Sequence, residues 1–366
     1  MKYIDEFRNP SIVNDILTSI NKLVIKGRSY KIMEVCGTHT MAIAKYGLRD
    51  ILPDNIDLVS GPGCPVCVIS QGEIDAIFSL LEKEDVILFT YGDLMKTPGS
   101  NNESLLTYKA KGVDIRIILS PIDMLKEIEN TNKELIFVSI GFETTSPANA
   151  ILIKEMYKRK IKNFSVFPYN KIMPGIIDVI LRDKDLNIDG FICPGHVAAV
   201  TGTNLFEPIV KKNRAAVVAG FEIIDILLAI RAIVLQVNNG TFRVENLYKR
   251  VVSDNGNSLA RQHIDDVFEI TSSIWRGVGS VERSGLALKD DFQQYNVLNK
   301  FDLIIESIYD KKGCKCGEIL MGKKSPYECS LFSKECKPES PIGPCMVSTE
   351  GTCAAYYKYM VKSEHY

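Results

Sequence analysis

Short apolar runs alternate with stretches of helical periodicity along most of the chain. The runs that predict strands are Ile56–Val59, Val86–Thr90, Ile115–Leu119, Leu135–Ile140, Asn163–Phe167, Gly190–Cys193 and Ala215–Ala219. The stretches between them, such as Gly72–Leu81 and Ala148–Lys158, carry apolar residues at helical spacing. This alternation indicates an α/β fold, in which parallel sheets carry helices on both faces.

Several of the predicted strands end in polar turns that contain glycine. These turns are Ser60–Cys64, Thr90–Asp93, Gly141–Thr145 and Cys193–His196. Ligands of parallel α/β sheets bind at the carboxyl ends of the strands, where these turns fall. The arrangement predicts two similar α/β units, one on each side of about residue 145.

The pattern divides the chain into four segments. They are an N-terminal helical segment (1–30), a first α/β domain (31–145), a second α/β domain (146–240) and a helical, cysteine-rich region (241–366). The first is helical because Ile12, Ile16, Ile20 and Leu23 recur at helical spacing. In the last segment, helices are predicted at Ile264–Trp275 and Phe301–Asp310. We expect the cysteine-rich tail to be a separate small region, held together by metal rather than by a large core.

Composition excludes several functional classes. The 366 residues are 46% hydrophobic and 24% charged, with a formal net charge of −1, so no basic excess indicates nucleic-acid binding. The N-terminus lacks the apolar segment of a signal peptide. The longest apolar stretch, Ile223–Val237, is short and contains Asp225 and Arg231, which favours a buried helix over a membrane span. We therefore expect a cytoplasmic protein, in which grouped cysteines more often serve metal or redox chemistry than structural disulfides.

Six of the ten cysteines lie in the tail. They are Cys314, Cys316, Cys329, Cys336, Cys345 and Cys353. Zinc sites usually pair their ligands as C-x2-4-C, whereas iron–sulfur clusters take four thiolates from loops. Four ligands would leave a dithiol beside the cluster, which is a plausible electron relay. A zinc-stapled tail and a purely structural cluster remain alternatives, and the spacing does not choose four ligands from six.

A second thiol motif, Cys64-Pro65-Val66-Cys67, lies in a Gly/Pro turn before a predicted helix. This C-x-x-C spacing allows a reversible disulfide or a chelate. The alternative is a structural pair of buried cysteines. The strand–loop–helix context favours the redox interpretation.

A third thiol, Cys36, follows the predicted strand Tyr30–Val35 and opens the segment Cys36–Thr40. We expect an accessible thiol whose pKa is lowered by a nearby helix N-terminus, and a soft thiolate suits iron. The hydroxyls of Thr38 and Thr40 could bond to the sulfur or to a bound ligand. His39 could ligate metal, assist proton transfer or hold the loop, and an inert cysteine in a polar turn is the structural alternative.

Two further turns carry candidate residues. Glu143 stands in Gly141–Pro147, which could bind a ligand or simply cap a helix. His196 stands in a similar turn at a predicted strand end, where a structural role is the alternative. Neither a P-loop nor G-x-G-x-x-G is present in the sequence, so no motif supports nucleotide binding.

Together these segments resemble the HypD family, whose members help to assemble the active site of [NiFe]-hydrogenases. The matching segments are CGTHT (36–40), GPGCPVC (61–67), GFETT (141–145), PGHV (194–197), CKCGEIL (314–320) and PIGPCMVSTEGTCAAYYKY (341–359). They span nearly the whole chain in order.

The resemblance implies two Rossmann-like α/β domains around a cleft and a third region that holds a [4Fe-4S] cluster. It implies that the cluster ligands are Cys314, Cys329, Cys336 and Cys353, with Cys316 and Cys345 as the adjacent dithiol. Cys36 would be a ligand of a transient iron atom, and Cys64 and Cys67 would be the redox pair near it. His39, Glu143 and His196 would position diatomic ligands or relay protons.

The same resemblance implies partners and a reaction. The family works with a small HypC-like chaperone and a HypE-like cyanide donor, and an iron carrying two cyanides and one carbon monoxide passes to the hydrogenase large subunit. A rival function is an iron–sulfur disulfide reductase that acts on a thioredoxin-like partner, and a second rival is a non-catalytic scaffold with a structural cluster. No nucleic acid or membrane partner is expected.

Overall fold

Parallel strands form two sheets in the computed structural model, which describes residues 5–128, 131–306 and 313–360. The strands are β1 (Tyr30–Glu34), β2 (Ile56–Ser60), β3 (Val86–Thr90), β4 (Asp114–Ile117), β5 (Glu134–Gly141), β6 (Phe164–Asn170), β7 (Gly190–Pro194), β8 (Ala215–Ala219), β9 (Val244–Asn246), β10 (Phe268–Trp275) and β11 (Gly279–Leu288). Sheet A has the order β2-β1-β7-β8-β9, and sheet B has the order β4-β3-β5-β6. Neighbouring strands within each sheet are parallel, which confirms the predicted fold class. β10 and β11 form an antiparallel hairpin.

Helices connect the strands and cover the sheets. They are α1 (Pro10–Leu23), α2 (Gly37–Lys45), α3 (Leu48–Ile51), α4 (Pro65–Val68), α5 (Gln71–Lys83), α6 (Leu105–Ala110), α7 (Ser146–Lys158), α8 (Met173–Arg182), α9 (Gly195–Thr201), α10 (Glu207–Lys211), α11 (Ile223–Asn239), α12 (Ser258–Val267), α13 (Val297–Lys300), α14 (Cys316–Leu320) and α15 (Thr352–Tyr359). Short 3-10 helices lie at Asp5–Arg8, Gly92–Leu94, Pro121–Lys126, Thr203–Phe206, Asp290–Tyr295, Pro326–Glu328 and Pro344–Met346.

Local sequence signals explain where the helices near the site begin. Asn9 caps α1 by accepting a hydrogen bond from the Ser11 N–H, with Pro10 in the first turn. At α5, Ser70 and Glu73 form a capping box, in which each side chain accepts from the backbone N–H of the other. This box fixes the point at which the chain leaves α4 and enters α5.

The division of the chain at residue 145 does not match the sheets. β5 ends at Gly141 and pairs with β6, which lies after residue 145. β7 and β8 return to sheet A, where β7 pairs with β1. The prediction of one α/β unit on each side of residue 145 is therefore wrong at the level of strand pairing. Helical spacing reports local conformation and carries no information on which strand a returning chain will join.

Two predicted helices in the last segment also differ from the structure. Within Ile264–Trp275, α12 ends at Val267 and the rest is β10, because β-branched and aromatic residues there pair with β11. For Phe301–Asp310, residues 301–306 are not helical: α13 ends at Lys300 and Asp302 has a left-handed φ of 48°. Residues 307–310 lie outside the described residues.

The largest hydrophobic core joins both sheets and the tail. It contains Met33 from sheet A and Leu88 from sheet B, together with Cys316, Phe332 and Tyr356 from the tail. The tail is thus not separate from the main core, contrary to the prediction. A second core lies between sheet A and α1 and α11, and a third lies on sheet B beneath α7. Among the described residues, none of the helices combines the length and the apolar character that a bilayer crossing requires.

Candidate functional site

Four strand ends meet at the carboxyl edge of sheet A. β1 lies between β2 and β7, and β8 follows β7. Because these strands are parallel, the turns that begin at Val35, Gly61, Gly195 and Gly220 open on one edge. In open parallel sheets this is the ligand-binding edge. The segments that contain Cys36, the C-x-x-C pair and His196, which are distant in sequence, therefore share one site.

Cys36 caps the N-terminus of α2 and is 8% exposed. The Gly37 N–H donates to the Gly63 carbonyl at 3.0 Å, and a Cβ on Gly63 would lie 2.4 Å from the Cys36 backbone. The two loops are therefore in direct contact. Burial, and secondarily the Glu350 carboxylate, raises the pKa of the Cys36 thiol to about 12, which outweighs the backbone N–H groups of α2. The expectation of an accessible thiol with a lowered pKa is wrong.

A buried carboxylate, Glu34, fixes the first turn of α2. Its Oε2 accepts from the Cys36 N–H at 3.3 Å, and its Oε1 accepts from the Thr40 hydroxyl at 2.7 Å. Burial raises the pKa of Glu34 to about 7, although hydrogen bonds from Ser60 and Thr40 act in the opposite direction. Glu34 therefore holds Cys36 from the strand side.

A second carboxylate reaches the same turn from the tail. The Thr38 hydroxyl donates to Glu350 Oε1 at 2.7 Å, and a Cβ on Gly37 would lie 2.4 Å from the Glu350 Cβ. Burial raises the pKa of Glu350. The hydroxyls of Thr38 and Thr40 are thus bonded to carboxylates, and not to the Cys36 sulfur as the sequence suggested.

The C-x-x-C pair is oxidised in this structure. Cys64 and Cys67 are joined by a disulfide and are 2% and 0% exposed. Cys64 caps α4, and its sulfur accepts from the Cys67 N–H at 3.2 Å. On its other side, the Cys67 Sγ lies 3.9 Å from the carbonyl oxygen of Pro344. The pair therefore adjoins both the Cys36 loop and the residue that precedes Cys345.

The tail cysteines gather around one close pair. The Sγ atoms of Cys316 and Cys345 are 2.8 Å apart. Hydrogen bonds with Cys314 and Cys345 hold the pKa of Cys316 well below its ordinary value, and hydrogen bonds with Cys316 and Cys353, together with burial, raise that of Cys345. Cys336 lies near enough to Cys353 and Cys316 to interact electrostatically with both.

The two candidate histidines both stack on one phenylalanine. The ring of Phe221 lies 4.6 Å from that of His39 and 4.0 Å from that of His196, and both pairs are stacked. His39 is fully buried, its Nε2 is 2.8 Å from the Gly220 carbonyl oxygen, and its Nδ1 has no hydrogen-bond partner among the residues that the structure describes. Burial lowers the pKa of His39 to about 4, and it also lowers that of His196, which is exposed on its outer side. His39 is therefore neutral at physiological pH.

Glu143 stands at the carboxyl end of β5 in sheet B. Its Oε1 accepts from the Met173 N–H at 2.8 Å, at the start of α8, and within the described parts of the chain its Oε2 has no hydrogen-bond partner. Burial raises the pKa of Glu143 to about 7. Its neighbour Phe142 packs on Trp275 at 6.0 Å. Glu143 thus belongs to the edge of sheet B, and its contacts are with α8 rather than with the Cys36 turn.

Comparison with known proteins identifies the family. The model of the HypD family, described as "Hydrogenase formation hypA family", matches residues 11–360. The chain belongs to the HypD family. Similar relatives are hydrogenase maturation factor HypD of Rhizobium leguminosarum bv. viciae (44% identical over 98% of this chain and 96% of the relative) and HypD2 of Bradyrhizobium diazoefficiens (43%, over 98% and 97%). HypD of Escherichia coli K12 is 40% identical, over 98% of each chain. The resemblance to a family of hydrogenase maturation factors is confirmed over nearly the whole chain.

The tail of this HypD-family chain offers the donors of an iron–sulfur cluster. Within residues 5–128, 131–306 and 313–360, no three His, Cys, Asp or Glu side chains close around a single metal-ion position. A cluster makes a different demand, because its thiolates bind separate iron atoms. Cys329, Cys336 and Cys353 are buried but not disulfide-bonded, and the Ile342 N–H lies 3.4 Å from the Cys336 sulfur, as is typical of sulfurs that hold a cluster. The residues therefore fit such a group.

Sequence reasoning missed three residues of the HypD-family site. Glu350 lies within a matched tail segment, and its acidic side chain among small residues was an available signal. Glu34 precedes Cys36 by two residues and is buried at the end of β1. Because side chains alternate along a strand, Lys31 lies on the other face. Phe221 follows a predicted strand, but only the structure shows that it contacts both His39 and His196.

Proposed function

We propose that this chain is the scaffold and electron-transfer component on which the iron centre of [NiFe]-hydrogenase is assembled. The iron that carries two cyanides and one carbon monoxide is its substrate, held together with a HypC-like chaperone. A HypE-like partner delivers cyanide, and the completed centre passes to the hydrogenase large subunit. Family membership supports the setting, and the order of the thiols supports the electron-transfer role.

One observation carries this proposal: three thiol groups follow one another from the tail to Cys36. The Cys316 and Cys345 sulfurs are 2.8 Å apart. Pro344, which precedes Cys345, contacts the Cys67 sulfur. The Cys64 loop contacts Cys36 through Gly63. If each cysteine had only an independent structural role, these contacts between successive thiol groups would not be needed.

The thiol chemistry balances for each cyanide, and an external reductant must then return the last disulfide to its dithiol before the next cyanide is released. Cyanide bound as a thiocyanate on a donor cysteine needs two electrons and one proton to leave as cyanide and a thiol. The Cys64–Cys67 dithiol supplies the two electrons and becomes a disulfide, releasing two protons, of which the donor sulfur takes one. A dithiol at Cys316 and Cys345 then reduces that disulfide through a mixed disulfide, and itself becomes the disulfide. When bound, a [4Fe-4S] cluster on Cys314, Cys329, Cys336 and Cys353 supplies single electrons to this region.

Cys36 is the iron ligand in this proposal. Its thiol is protonated in the metal-free site because burial raises its pKa, so iron binding must displace that proton. Backbone N–H groups at the start of α2 then face the new thiolate. His39 offers a buried Nδ1 in the same helix, without a partner among the described residues, and His196 also stacks on Phe221, facing solvent. Glu143 accepts from the Met173 N–H at the edge of sheet B, and its role in this proposal is confined to proton storage.

Infrared spectroscopy of the anaerobically purified complex tests the ligand role. We expect iron-bound cyanide and carbon monoxide bands in the wild type and their loss in Cys36→Ala, with the cluster iron retained. Cys36→Ser should also lose the bands, because a neutral hydroxyl is a far weaker ligand than a thiolate. Cys193→Ala is the matched control, since Cys193 is also buried, in β7, and does not belong to any of the three thiol groups. Normal bands in Cys36→Ala would refute the ligand role.

Two further measurements test the redox components. Anaerobic protein should contain about four iron atoms per chain with matching sulfide, and zinc without iron would contradict the cluster. Mass spectrometry after differential alkylation should find Cys64 and Cys67 as a dithiol or as a disulfide, according to the redox buffer. A pair that stays reduced under mild oxidant would contradict the relay.

The rival function, a disulfide reductase for a thioredoxin-like partner, makes a different demand. Both functions require a partner sulfur to reach Cys64 or Cys67, which are 2% and 0% exposed, so exposure does not distinguish them. A reductase, however, has no use for Cys36 or for iron held with a partner. Iron analysis of the co-purified complex distinguishes the two, because only the scaffold carries iron in excess of its cluster.

A further inference from the structure

The turn between β10 and β11, residues Trp275–Val278, contacts the segments that follow Cys67 and Cys316 in the chain. We call it the hairpin turn. Trp275 anchors it: this side chain is 1% exposed, donates from Nε1 to the Ser284 hydroxyl at 2.8 Å and packs on Phe142. The two residues that follow Trp275 reach in different directions, one toward the C-x-x-C segment and one toward the tail.

Arg276 bonds to the chain immediately after the C-x-x-C pair. Its backbone N–H donates to the Val68 carbonyl at 2.9 Å, its Nε donates to the Ile69 carbonyl at 2.8 Å, and its Nη1 donates to Gln71 Oε1 at 3.1 Å. The side chain is buried, at 4% exposure. These bonds fix the last turn of α4, which carries Cys67, against the hairpin turn.

Gly277 meets the chain immediately after Cys316. It has a left-handed φ of 69°, and a Cβ on it would lie 2.1 Å from the Cα of Gly317. The contact is reciprocal, because a Cβ on Gly317 would lie 2.5 Å from the Cα of Gly277. Two glycines thus allow the hairpin turn and α14 to approach more closely than any side chain would permit.

We propose that the hairpin turn is a positioning device for thiol exchange, in which Arg276 holds Cys67 and Gly277 admits the tail so that Cys67 and Cys345 can form the mixed disulfide. This inference rests on the proposed function, since it assigns a role within the thiol relay. Exchange needs two sulfurs held in a narrow range of distance and direction, and displacement by about 1 Å costs on the order of 100-fold in such reactions. The guanidinium suits the task because its planar fork fixes several acceptors at once.

The test traps the mixed disulfide in the full-length, anaerobically purified protein. Cys64→Ala with Cys316→Ala leaves Cys67 and Cys345 to link with each other, and this double variant is the parent. The yield of the link in glutathione buffers of known ratio gives the effective concentration of the two thiols, with the linked peptide identified by mass spectrometry. We expect Arg276→Met to lower this effective concentration at least about tenfold, and Arg276→Lys to restore part of it.

Gly277→Ala tests the other contact, and the first residue after the hairpin turn provides a matched control. Gly279 also has a left-handed φ, of 93°, but a Cβ on it would meet nothing within 4 Å. Both alanine variants therefore place a side chain at a left-handed φ, and only Gly277→Ala obstructs the tail. We expect a loss of linking in Gly277→Ala and none in Gly279→Ala, with the melting temperatures of the two variants matched.

The outcomes separate this inference from the proposed function. If the parent links but Arg276→Met and Gly277→Ala link equally well, the relay stands and the positioning role is overturned. If the parent never links Cys67 to Cys345, the thiol order itself is wrong and the positioning role falls with it. Equal losses in Gly277→Ala and Gly279→Ala would mean that strain, and not spacing, is responsible, which also overturns the inference.

Discussion

A buried ion pair fixes the chain just beyond the C-x-x-C segment, and removing one partner should destabilise the fold strongly. The Lys171 Nζ donates to Glu73 Oε1 and to the Ser273 hydroxyl, both at 2.6 Å. The two charged side chains are only 1% and 6% exposed. The other carboxylate oxygen of Glu73 caps α5 by accepting from the Ser70 N–H. The pair therefore joins α5, the end of β6 and the β10–β11 hairpin.

The size of the effect follows from burial. Lys171→Met removes the counter-ion and leaves the Glu73 carboxylate uncompensated, which costs about 3–5 kcal/mol in buried pairs. Glu73→Gln keeps an oxygen for the cap but leaves the ammonium uncompensated, so its cost should be similar. The double variant contains no buried charge and should be more stable than either single variant, with a coupling of at least about 2 kcal/mol.

Urea unfolding under anaerobic, reducing conditions measures the difference, provided that the slope is unchanged among variants. Lys133→Met is the matched control: Lys133 also pairs with a carboxylate, Asp85, at 2.6 Å, but the two side chains are 46% and 80% exposed. Its loss should cost less than about 1 kcal/mol. A loss of less than about 1 kcal/mol in the free energy of unfolding of Lys171→Met would refute the reasoning. Strict additivity of the two single effects in the double variant would refute it as well.

Other contacts make independent predictions. Burial raises the pKa of Glu143 to about 7, so the folded state binds this proton more tightly than the unfolded chain, and stability falls by about 3 kcal/mol as the pH rises from about 4.5 to about 7. Glu143→Gln should remove that part of the slope in urea midpoints taken across this range, and an unchanged slope would contradict the assignment. Gly63→Ala should separate the Cys64 and Cys36 loops, because the new Cβ would lie 2.4 Å from the Cys36 backbone. Alkylation of Cys36 should then accelerate, whereas Gly92→Ala, whose Cβ would lie 3.7 Å from its nearest neighbour, should leave it unchanged. Lowering the pH should also destabilise the chain through His39, whose pKa of about 4 lies below its unfolded value: this loss begins near pH 6.5 and should vanish in His39→Gln.

The local fold could be predicted from the sequence because local signals suffice for it. The runs Val86–Thr90 and Ala215–Ala219 coincide with β3 and β8, which are buried along their whole length, as strands of covered parallel sheets are. The prediction of a helix at Ile264–Trp275 failed because it used local signals alone. Apolar residues there fit a helical spacing, but pairing with β11 decided the conformation, and that pairing depends on residues beyond the segment.

The cysteines of the candidate site could be named from the sequence, but the residues that hold them in place could not. Cysteines in unusual motifs signal chemistry by residue type alone, so Cys36, Cys64 and Cys67 could be named. Glu34 and Arg276 are ordinary charged residues whose importance arises from burial beside those thiols. Each bonds to another side chain and to backbone groups, such as those of Cys36 and Ile69, which every sequence possesses, so no pattern of residue types identifies them.

The topology explains why the chain builds sheet B between two visits to sheet A. β1 and β2 deliver the Cys36 and Cys64 turns, and the chain then leaves to form sheet B before β7 returns beside β1. Because β7 is parallel to β1, its carboxyl end brings the His196 turn to the same edge, and β8 adds Phe221 next to it. A chain divided at residue 145 would have placed the two histidines in different sheets. The contacts of Phe221 with His39 and His196 therefore exist only because sheet A is completed by the second half of the chain.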